Sequence, residues 1–258
     1  PKEPWLGDRL LVVELAYGDS PFHMAGVHNN MVQVRADSVM WHKENLINIG
    51  MGKLREQGFK NVGWLDGDII IEGADEKWFS KCVGSLDENN LVQVCESIFM
   101  GFNDGNLSSR LSMAEYMVEG KDPWKCYTAG LGWVMGGDVW DNCPMYERSI
   151  LGAGDSLNFL GSLDEVRDFR NYVGFRGNGV VDQMPYYMEW VDKWRKGVKG
   201  LVSFIPGERS LAEPHGTRSN RAYQARAQGL IRLRYNPGKH FVKNGDGVLE
   251  WDESAPAD

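Results

Sequence analysis

The 258-residue chain has little of what marks secreted, disulfide-bonded or membrane-spanning proteins. Its four cysteines show no C-x-x-C spacing, which disfavours both a zinc site and a disulfide framework and indicates reduced core thiols. No run approaches the roughly 20 apolar residues that a membrane-spanning helix requires. The first residues also lack the charged-then-apolar layout of a signal peptide. We therefore expect a soluble, cytoplasmic protein with no membrane span.

Internal repeats and low-complexity linkers are absent as well, so the sequence forces no domain boundary. The composition, 42% hydrophobic and 25% charged, is that of an ordinary globular chain. We expect one main domain over residues 1–225. Residues 226–258 are then a basic extension with an acidic tail, packed on the same domain.

Charge is unevenly distributed along the chain. Residues 193–243 contain twelve Lys and Arg against Glu208 and Glu213, although the whole chain carries a net charge of −8. Such a basic segment can attract the phosphates of a nucleotide or of nucleic acid, or it can pair with the acidic remainder of the chain. The sequence leaves both readings open.

The order of predicted elements indicates an α/β fold. Residues 10–15 form an apolar run typical of a buried strand, and residues 37–57 show helical spacing, with Asp37 or Ser38 as N-cap and Gly58 as the stop. A second apolar run follows and ends in acidic residues. A strand, a helix and a second strand with acidic residues at its carboxyl end are typical of a nucleotide-binding half-domain.

Later elements are less regular. Ser162 and Glu165 suggest a capping box for a helix through residue 172, and residues 182–194 predict another helix with Pro185 in its first turn. Residues 101–123 are polar and weakly patterned, which predicts a mobile loop, either a lid or an acceptor loop.

Asp66 and Asp68 are separated by one glycine at the end of the second apolar run. If this run is an extended strand, both carboxylates lie on the same face, about 6–7 Å apart. Carboxylate oxygens suit Mg²⁺ and Mn²⁺, which complete their shells with water and substrate phosphates. The pair therefore predicts a cation bound together with a phosphorylated substrate, although a polar turn closing a buried strand explains the same residues.

Five blocks carry a resemblance to a known family: residues 41–50, 64–68, 130–133, 152–155 and 215–221. In content and order they resemble glycosyltransferases of the GT-A fold, in particular the β-1,4-galactosyltransferase family and related viral and bacterial enzymes. The resemblance implies a Rossmann-like mixed sheet flanked by helices. It also implies a transferase that moves a sugar from a nucleotide sugar, expected to be a UDP-sugar, to a hydroxyl acceptor.

The resemblance also implies roles at the donor site. Asp68 and His215 would bind Mn²⁺ or Mg²⁺, and Asp66 would contact the metal or the ribose. Lys43, Arg218 and Arg221 would lie near the donor phosphates. Tyr17, just after the first strand, is placed where such folds bind the base, and core packing is an equally good reading of it.

A carboxylate must remove the acceptor proton if transfer inverts the anomeric configuration. Asp155 follows the small residues of block 152–155 and is the expected base, with an N-cap of a short helix as the structural alternative. The family has an acidic run here, whereas this chain has Ser156 after Asp155. We expect Trp133 to form an acceptor wall and Glu147 to be the reserve base.

Other functions fit parts of the pattern. For a glycosyltransferase, the expected acceptor is a glycan or another hydroxyl compound. A close variant is a phage-type DNA glycosyltransferase acting on hydroxymethylated pyrimidines, which the basic segment permits and the acidic net charge of the chain disfavours. A nucleotidyltransferase also needs acidic metal ligands, but it normally has a glycine-rich phosphate loop after its first strand, which residues 17–24 lack. A non-catalytic sugar or nucleotide-binding module would need no base.

Overall fold

The computed structural model of the chain describes residues 7–88, 90–101, 107–122, 128–152, 154–163, 183–199, 202–213 and 223–255. Its strands are β1 (Val12–Tyr17), β2 (Met31–Ala36), β3 (Asn61–Leu65), β4 (Ile69–Ile71), β5 (Leu91–Gln93), β6 (Ser97–Gly101), β7 (Leu107–Leu111), β8 (Gly132–Gly136), β9 (Val202–Phe204), β10 (Arg209–Ala212), β11 (Phe241–Lys243) and β12 (Leu249–Trp251). Its helices are α1 (Lys43–Glu56), α2 (Glu76–Gly84), α3 (Met113–Val118), α4 (Gly137–Asn142), α5 (Gly154–Gly161), α6 (Met184–Val198) and α7 (Tyr223–Arg232). The predicted α/β class is confirmed.

One mixed sheet has the strand order β3-β8-β5-β9, in which β8 is antiparallel to both neighbours and β9 is parallel to β5. Its central strand β5 is buried at every position, as a strand covered on both faces should be. Leu91 packs into the larger core with α3, α5 and α6, while Val92 packs into a second core with α2. The largest fully buried side chains, Trp133 and Trp194, lie in the larger core.

A second mixed sheet has the order β4-β10-β6-β7. Residues 66–68, which we call the acidic turn, lie between the two sheets, because β3 ends at Leu65 in the first sheet and β4 begins at Ile69 in the second. The backbone N–H of Ile69 donates to the carbonyl of Asp66 at 3.1 Å, which closes a tight turn. The expectation of one extended strand through Asp66 and Asp68 was therefore wrong: the polar-turn reading is what the structure shows.

The first predicted strand–helix–strand unit is only partly right. The strand predicted at residues 10–15 is β1, two residues later, and Gly58 ends α1 with φ +91°, a conformation that favours glycine. However, β1 pairs in parallel with β2, whereas β3 pairs with β8 in another sheet. The strand β2 was not predicted, although its alternating apolar and polar residues carry a strand pattern.

Helix α1 begins at Lys43, five residues later than an N-cap at Asp37 predicts and four later than one at Ser38. The Glu250 carboxylate of β12 accepts hydrogen bonds from the backbone of Asp37 at 2.9 Å and of Ser38 at 2.7 Å. These amide groups are therefore satisfied by the C-terminal hairpin instead of by a helix. His42 is the N-cap and makes no side-chain capping bond.

The mobile loop predicted over residues 101–123 is wrong for much of its length. Residues 107–111 form β7 and residues 113–118 form α3, and the side chains of Ser112, Met113 and Ala114 are fully buried. The Ser112 hydroxyl accepts the Glu115 amide and caps α3. The polar residues that suggested a loop instead cap a helix and form turns. Residues 102–106 and 123 lie outside the described part.

The remaining predictions on the fold have mixed outcomes. Helix α6 confirms the predicted helix at residues 182–194, with Pro185 near its start. Ser162 instead follows α5, where its hydroxyl donates to the carbonyl of Asn158, and residues 164–172 lie outside the described part.

Cys82, Cys95 and Cys143 are buried free thiols, and Cys126 is not described. Of the described helices, none has the length and apolar character to cross a membrane.

The C-terminal residues pack on the rest of the chain. Strands β11 and β12 form a hairpin whose Val248 joins an apolar cluster with Val34 and Ala36 of β2. Helix α7 runs through residues 223–232, so the boundary expected at residue 225 falls inside a helix.

Candidate functional site

Three of the predicted site residues meet at one point. Lys43 opens α1, Asp66 follows β3, and Asp155 lies in the first turn of α5. The Lys43 Nζ atom is 2.7 Å from Asp66 Oδ1 and 2.9 Å from Asp155 Oδ2. About a fifth of each of these side chains is exposed, so the group lies just below the surface.

The loop before β8 closes the other side of this group. The Leu131 amide donates to Asp66 Oδ2 at 3.2 Å, and the Asp66 amide donates to the Leu131 carbonyl at 2.8 Å. A β-carbon on Gly130 would lie only 3.0 Å from Asp66 Oδ2 and 3.2 Å from Asp155 Oδ2. Because residue 130 is glycine, both carboxylates can approach the loop backbone. The next residue, Leu131, has φ +79°, a strained conformation for a branched side chain.

Glu44 is a fourth ionisable member, and the sequence did not predict it. Its side chain is 1% exposed, and neither carboxyl oxygen is hydrogen-bonded to any described residue. A β-carbon on Gly154 would lie 2.2 Å from Glu44 Oε1, so α5 can begin here only because residue 154 is glycine. The one weak signal in the sequence is that Glu44 stands beside Lys43 in the block 41–50. A glutamate in the first turn of a helix is ordinarily solvated there.

Burial dominates the electrostatics of these carboxyl groups. It raises the pKa of Glu44 to about 8, with Asp155 raising it further and Lys43 opposing. Burial also raises the pKa of Asp66 to about 6, against the lowering effect of Lys43. For Lys43, burial alone would lower the pKa, but Asp155 and Asp66 outweigh it and the pKa is raised.

The group holds the carboxyl groups of Glu44, Asp66 and Asp155 and one ammonium. Burial favours the protonated form of Glu44, and the ammonium of Lys43 stands between the two aspartates. A bare diphosphate would be repelled by such a site, whereas an added cation would be attracted.

Asp68 lies in the same turn, two residues beyond Asp66, and is half-buried. Its carbonyl accepts the Glu213 amide at 2.9 Å, immediately after β10. The chain therefore enters the segment that contains His215 beside the acidic turn. His215, Arg218 and Arg221 lie outside the described residues, so their predicted roles stay predictions.

The other predicted site residues are engaged elsewhere. Trp133 is 1% exposed, contacts Phe159 and donates its indole N–H to the Ala129 carbonyl, so it forms core and not the wall of an open site. The hydroxyl of Tyr17 donates to the Met40 carbonyl at 3.2 Å, and its ring packs with the β1–β2 cluster.

Glu147, the predicted reserve base, bonds to residues of β11 and α1. Its carboxylate is 2.6 Å from Lys243 Nζ and accepts the side-chain amides of Asn45 and Asn48 of α1. This bonding occupies the oxygens that a reserve base would use.

The part of the chain with described positions contains no group of three His, Cys, Asp or Glu side chains arranged to hold a metal ion. A cation at the acidic turn would thus take much of its shell from water, from phosphate oxygens or from undescribed residues. Comparison with family models, with curated proteins and with solved structures found no match to this chain.

Proposed function

We propose that this protein is a metal-dependent glycosyltransferase of the GT-A type. It moves a sugar from a nucleotide sugar, a UDP-sugar in the first instance, to a hydroxyl acceptor with inversion. The observation that carries the proposal is the convergence of Lys43, Asp66 and Asp155 from three separate blocks of the sequence. The family resemblance of those blocks independently assigns each of the three residues to the donor site or to catalysis.

The acidic turn fits a hard cation. Asp66 and Asp68 offer oxygen ligands two residues apart, and the surrounding group holds three carboxyl groups against one ammonium. Mg²⁺ and Mn²⁺ bind through one or two carboxylates and fill the remaining positions with water and phosphate. Asp66 and Asp68 would hold the ion, with His215 as a nitrogen ligand, and the bound ion would neutralise charge on the leaving diphosphate.

Lys43 acts on both carboxylates at once. Its ammonium has three N–H groups, and the two aspartates leave one for a phosphate oxygen. Lys43 thus holds Asp66 and Asp155 on one ammonium, and its third N–H would make the predicted contact to the donor.

Asp155 is the base in this proposal. Lys43 fixes its Oδ2 atom, whereas Oδ1 accepts no hydrogen bond from any described residue. The free oxygen is the one that would accept the proton of the attacking hydroxyl. That oxygen is buried, so the acceptor must displace neighbouring atoms to reach it.

A donor-hydrolysis assay tests the proposal. Purified protein is incubated with Mn²⁺ or Mg²⁺ and a panel of nucleotide sugars, and release of nucleoside diphosphate is measured. We expect release from at least one donor, loss of release with a chelator, and near-complete loss in Asp68→Asn. Asp192→Asn, an exposed aspartate on α6, is the matched control and should behave as wild type. Release of pyrophosphate from nucleoside triphosphates would indicate a nucleotidyltransferase instead, and no release at all would indicate a binding module.

The basic segment gives no specific support for DNA as acceptor. Among described residues, Lys193 pairs with Glu189, Arg209 with Glu72 and Lys243 with Glu147. These internal pairs agree with the reading in which the basic residues offset the acidic remainder. In a parallel assay, duplex DNA with hydroxymethylated pyrimidines is added as acceptor, and sugar transfer to it would establish the DNA alternative.

A further inference from the structure

Two segments of the chain run side by side at the candidate site. The Trp41 amide donates to the Ile150 carbonyl at 3.0 Å, Lys43 contacts Asp155, and Glu44 lies against Gly154. Trp41 lies at one end of this line of contacts. The other end is the charged group, which consists of Lys43, Glu44, Asp66 and Asp155.

Trp41 is unusually placed for a large aromatic residue. It is 41% exposed, although His42 beside it is 4% exposed and Met40 packs against the cluster of Ile150 and Tyr235. Its indole lies on the backbone of Gly152: a β-carbon there would be 3.6 Å from Cδ2 and from Cε2. The ring therefore lies against Gly152 on one side, while about two fifths of the residue is exposed to solvent.

Such a ring is suited to a substrate that has both an apolar and a polar side. Aromatic rings supply a large rigid contact area at low entropic cost and are common where one side of a ligand is apolar and the other is wet. The C–H face of a pyranose matches this surface, while its hydroxyls point to the edges. Lys43 follows Trp41 by two positions, so their Cα atoms are at most about 7 Å apart and a sugar on the indole would lie near the charged group.

We infer that Trp41 is the stacking platform for the acceptor sugar, placing its hydroxyl toward Asp155. The inference rests on the proposed function, since it assigns the acceptor side of the same site. It also replaces Trp133, which is buried in the core, as the aromatic surface of the site.

Binding of simple saccharides tests the platform separately from turnover. Methyl glycosides of glucose, galactose, N-acetylglucosamine and xylose are titrated by saturation-transfer NMR in the presence of UDP and Mn²⁺. The first variant, Trp41→Phe, keeps an aromatic face. The second, Trp41→Leu, places an apolar side chain against Gly152 but has no aromatic face. Val39→Ala is the control, because Val39 is 75% exposed two residues away. Thermal melting shows whether each variant is folded.

We expect wild type to bind at least one glycoside, Trp41→Phe to bind within about threefold, and Trp41→Leu to bind at least tenfold more weakly. Equal binding by Trp41→Leu and wild type would overturn the platform, and so would the absence of glycoside binding to wild type. If binding depends on Trp41 but no protein hydrolyses any donor, the platform stands and the glycosyltransferase proposal falls.

Discussion

Lys43 is the residue on which the geometry of the candidate site depends. Its ammonium separates Asp66 from Asp155, and no other cation among the described side chains contacts either carboxylate. Its position in block 41–50 led to the prediction of a donor contact. The sequence did not show that its ammonium is shared between two aspartates, because those lie in distant segments.

Replacing Lys43 by Met should destabilise the protein by about 3 kcal/mol at neutral pH. Removing one partner leaves charge that is no longer compensated in a largely buried site. The deficit should shrink as the pH falls toward about 6, because Asp66 without Lys43 takes up its proton above that pH. Urea denaturation at several pH values measures this effect. Lys53→Met, which removes an exposed pair with Glu56, should leave the free energy of unfolding unchanged. A pH-independent deficit would contradict the account.

Glu44 makes the protein less stable as pH rises. Its pKa is about 8 in the folded protein and near 4.5 when exposed, so the unfolded chain loses this proton first. Wild type should therefore lose stability relative to Glu44→Gln between about pH 4.5 and about pH 8, and the two should converge below that window. Urea midpoints at both ends of the window measure the difference. A wild-type protein that gains stability relative to Glu44→Gln as pH rises would show that the carboxyl is ionised and paired.

Asp155→Asn should lower turnover by about 10²–10⁴-fold, the usual contribution of a general base. Binding of the donor should change little, because the amide keeps the size of the carboxyl group. Steady-state kinetics with donor titration separates the two effects, and NMR of the product gives its anomeric configuration. Lost donor affinity or a retained configuration would remove Asp155 from the role of base.

Among the elements, α5 is the one whose start depends most on a single glycine. Gly154→Ala would normally favour a helix, but the new β-carbon would overlap the Glu44 carboxyl group. We expect a loss of about 3 kcal/mol, at the upper end of overpacking effects. Gly229→Ala in α7 is the matched control, since its β-carbon meets nothing within 4 Å and should be neutral or stabilising by up to about 1 kcal/mol. The double variant Gly154→Ala with Glu44→Ala should recover part of the loss in thermal melts, and no recovery would place the clash elsewhere.

At the scale of helices and strands, the sequence predicted those elements that depend on the local residue pattern. The strand β1 and the helices α1 and α6 follow from apolar periodicity, Gly58 and Pro185. The start of α1 could not be predicted, because the amides of Asp37 and Ser38 donate hydrogen bonds to Glu250, which lies more than two hundred positions later in the chain. The turn at Asp66 and Asp68 was only the alternative to a continuous strand, because the apolar residues on both sides of it belong to strands of different sheets.

For the whole molecule, Asn45 joins the candidate site to the C-terminal hairpin. It is 1% exposed, donates to the Gly247 carbonyl at 3.1 Å and accepts the Leu249 amide at 3.2 Å. Asn45→Ala should cost about 1–3 kcal/mol, because buried partners lose their hydrogen bonds. Amide exchange should accelerate first in β11 and β12, whereas exposed Asn29→Ala should change nothing. Acceleration spread evenly over the chain would show that the hairpin is not an attached local unit.

The central claim concerns where a cation and a nucleotide diphosphate bind, and anomalous diffraction locates the cation directly. Crystals grown with Mn²⁺ and UDP should show a manganese peak within about 2.5 Å of a carboxylate oxygen of Asp68, with diphosphate oxygens completing its shell. Asp66 and Lys43 should lie beside it, and Asp155 should face the open side of the diphosphate. A manganese peak bound elsewhere, or UDP bound away from the acidic turn, would contradict the account.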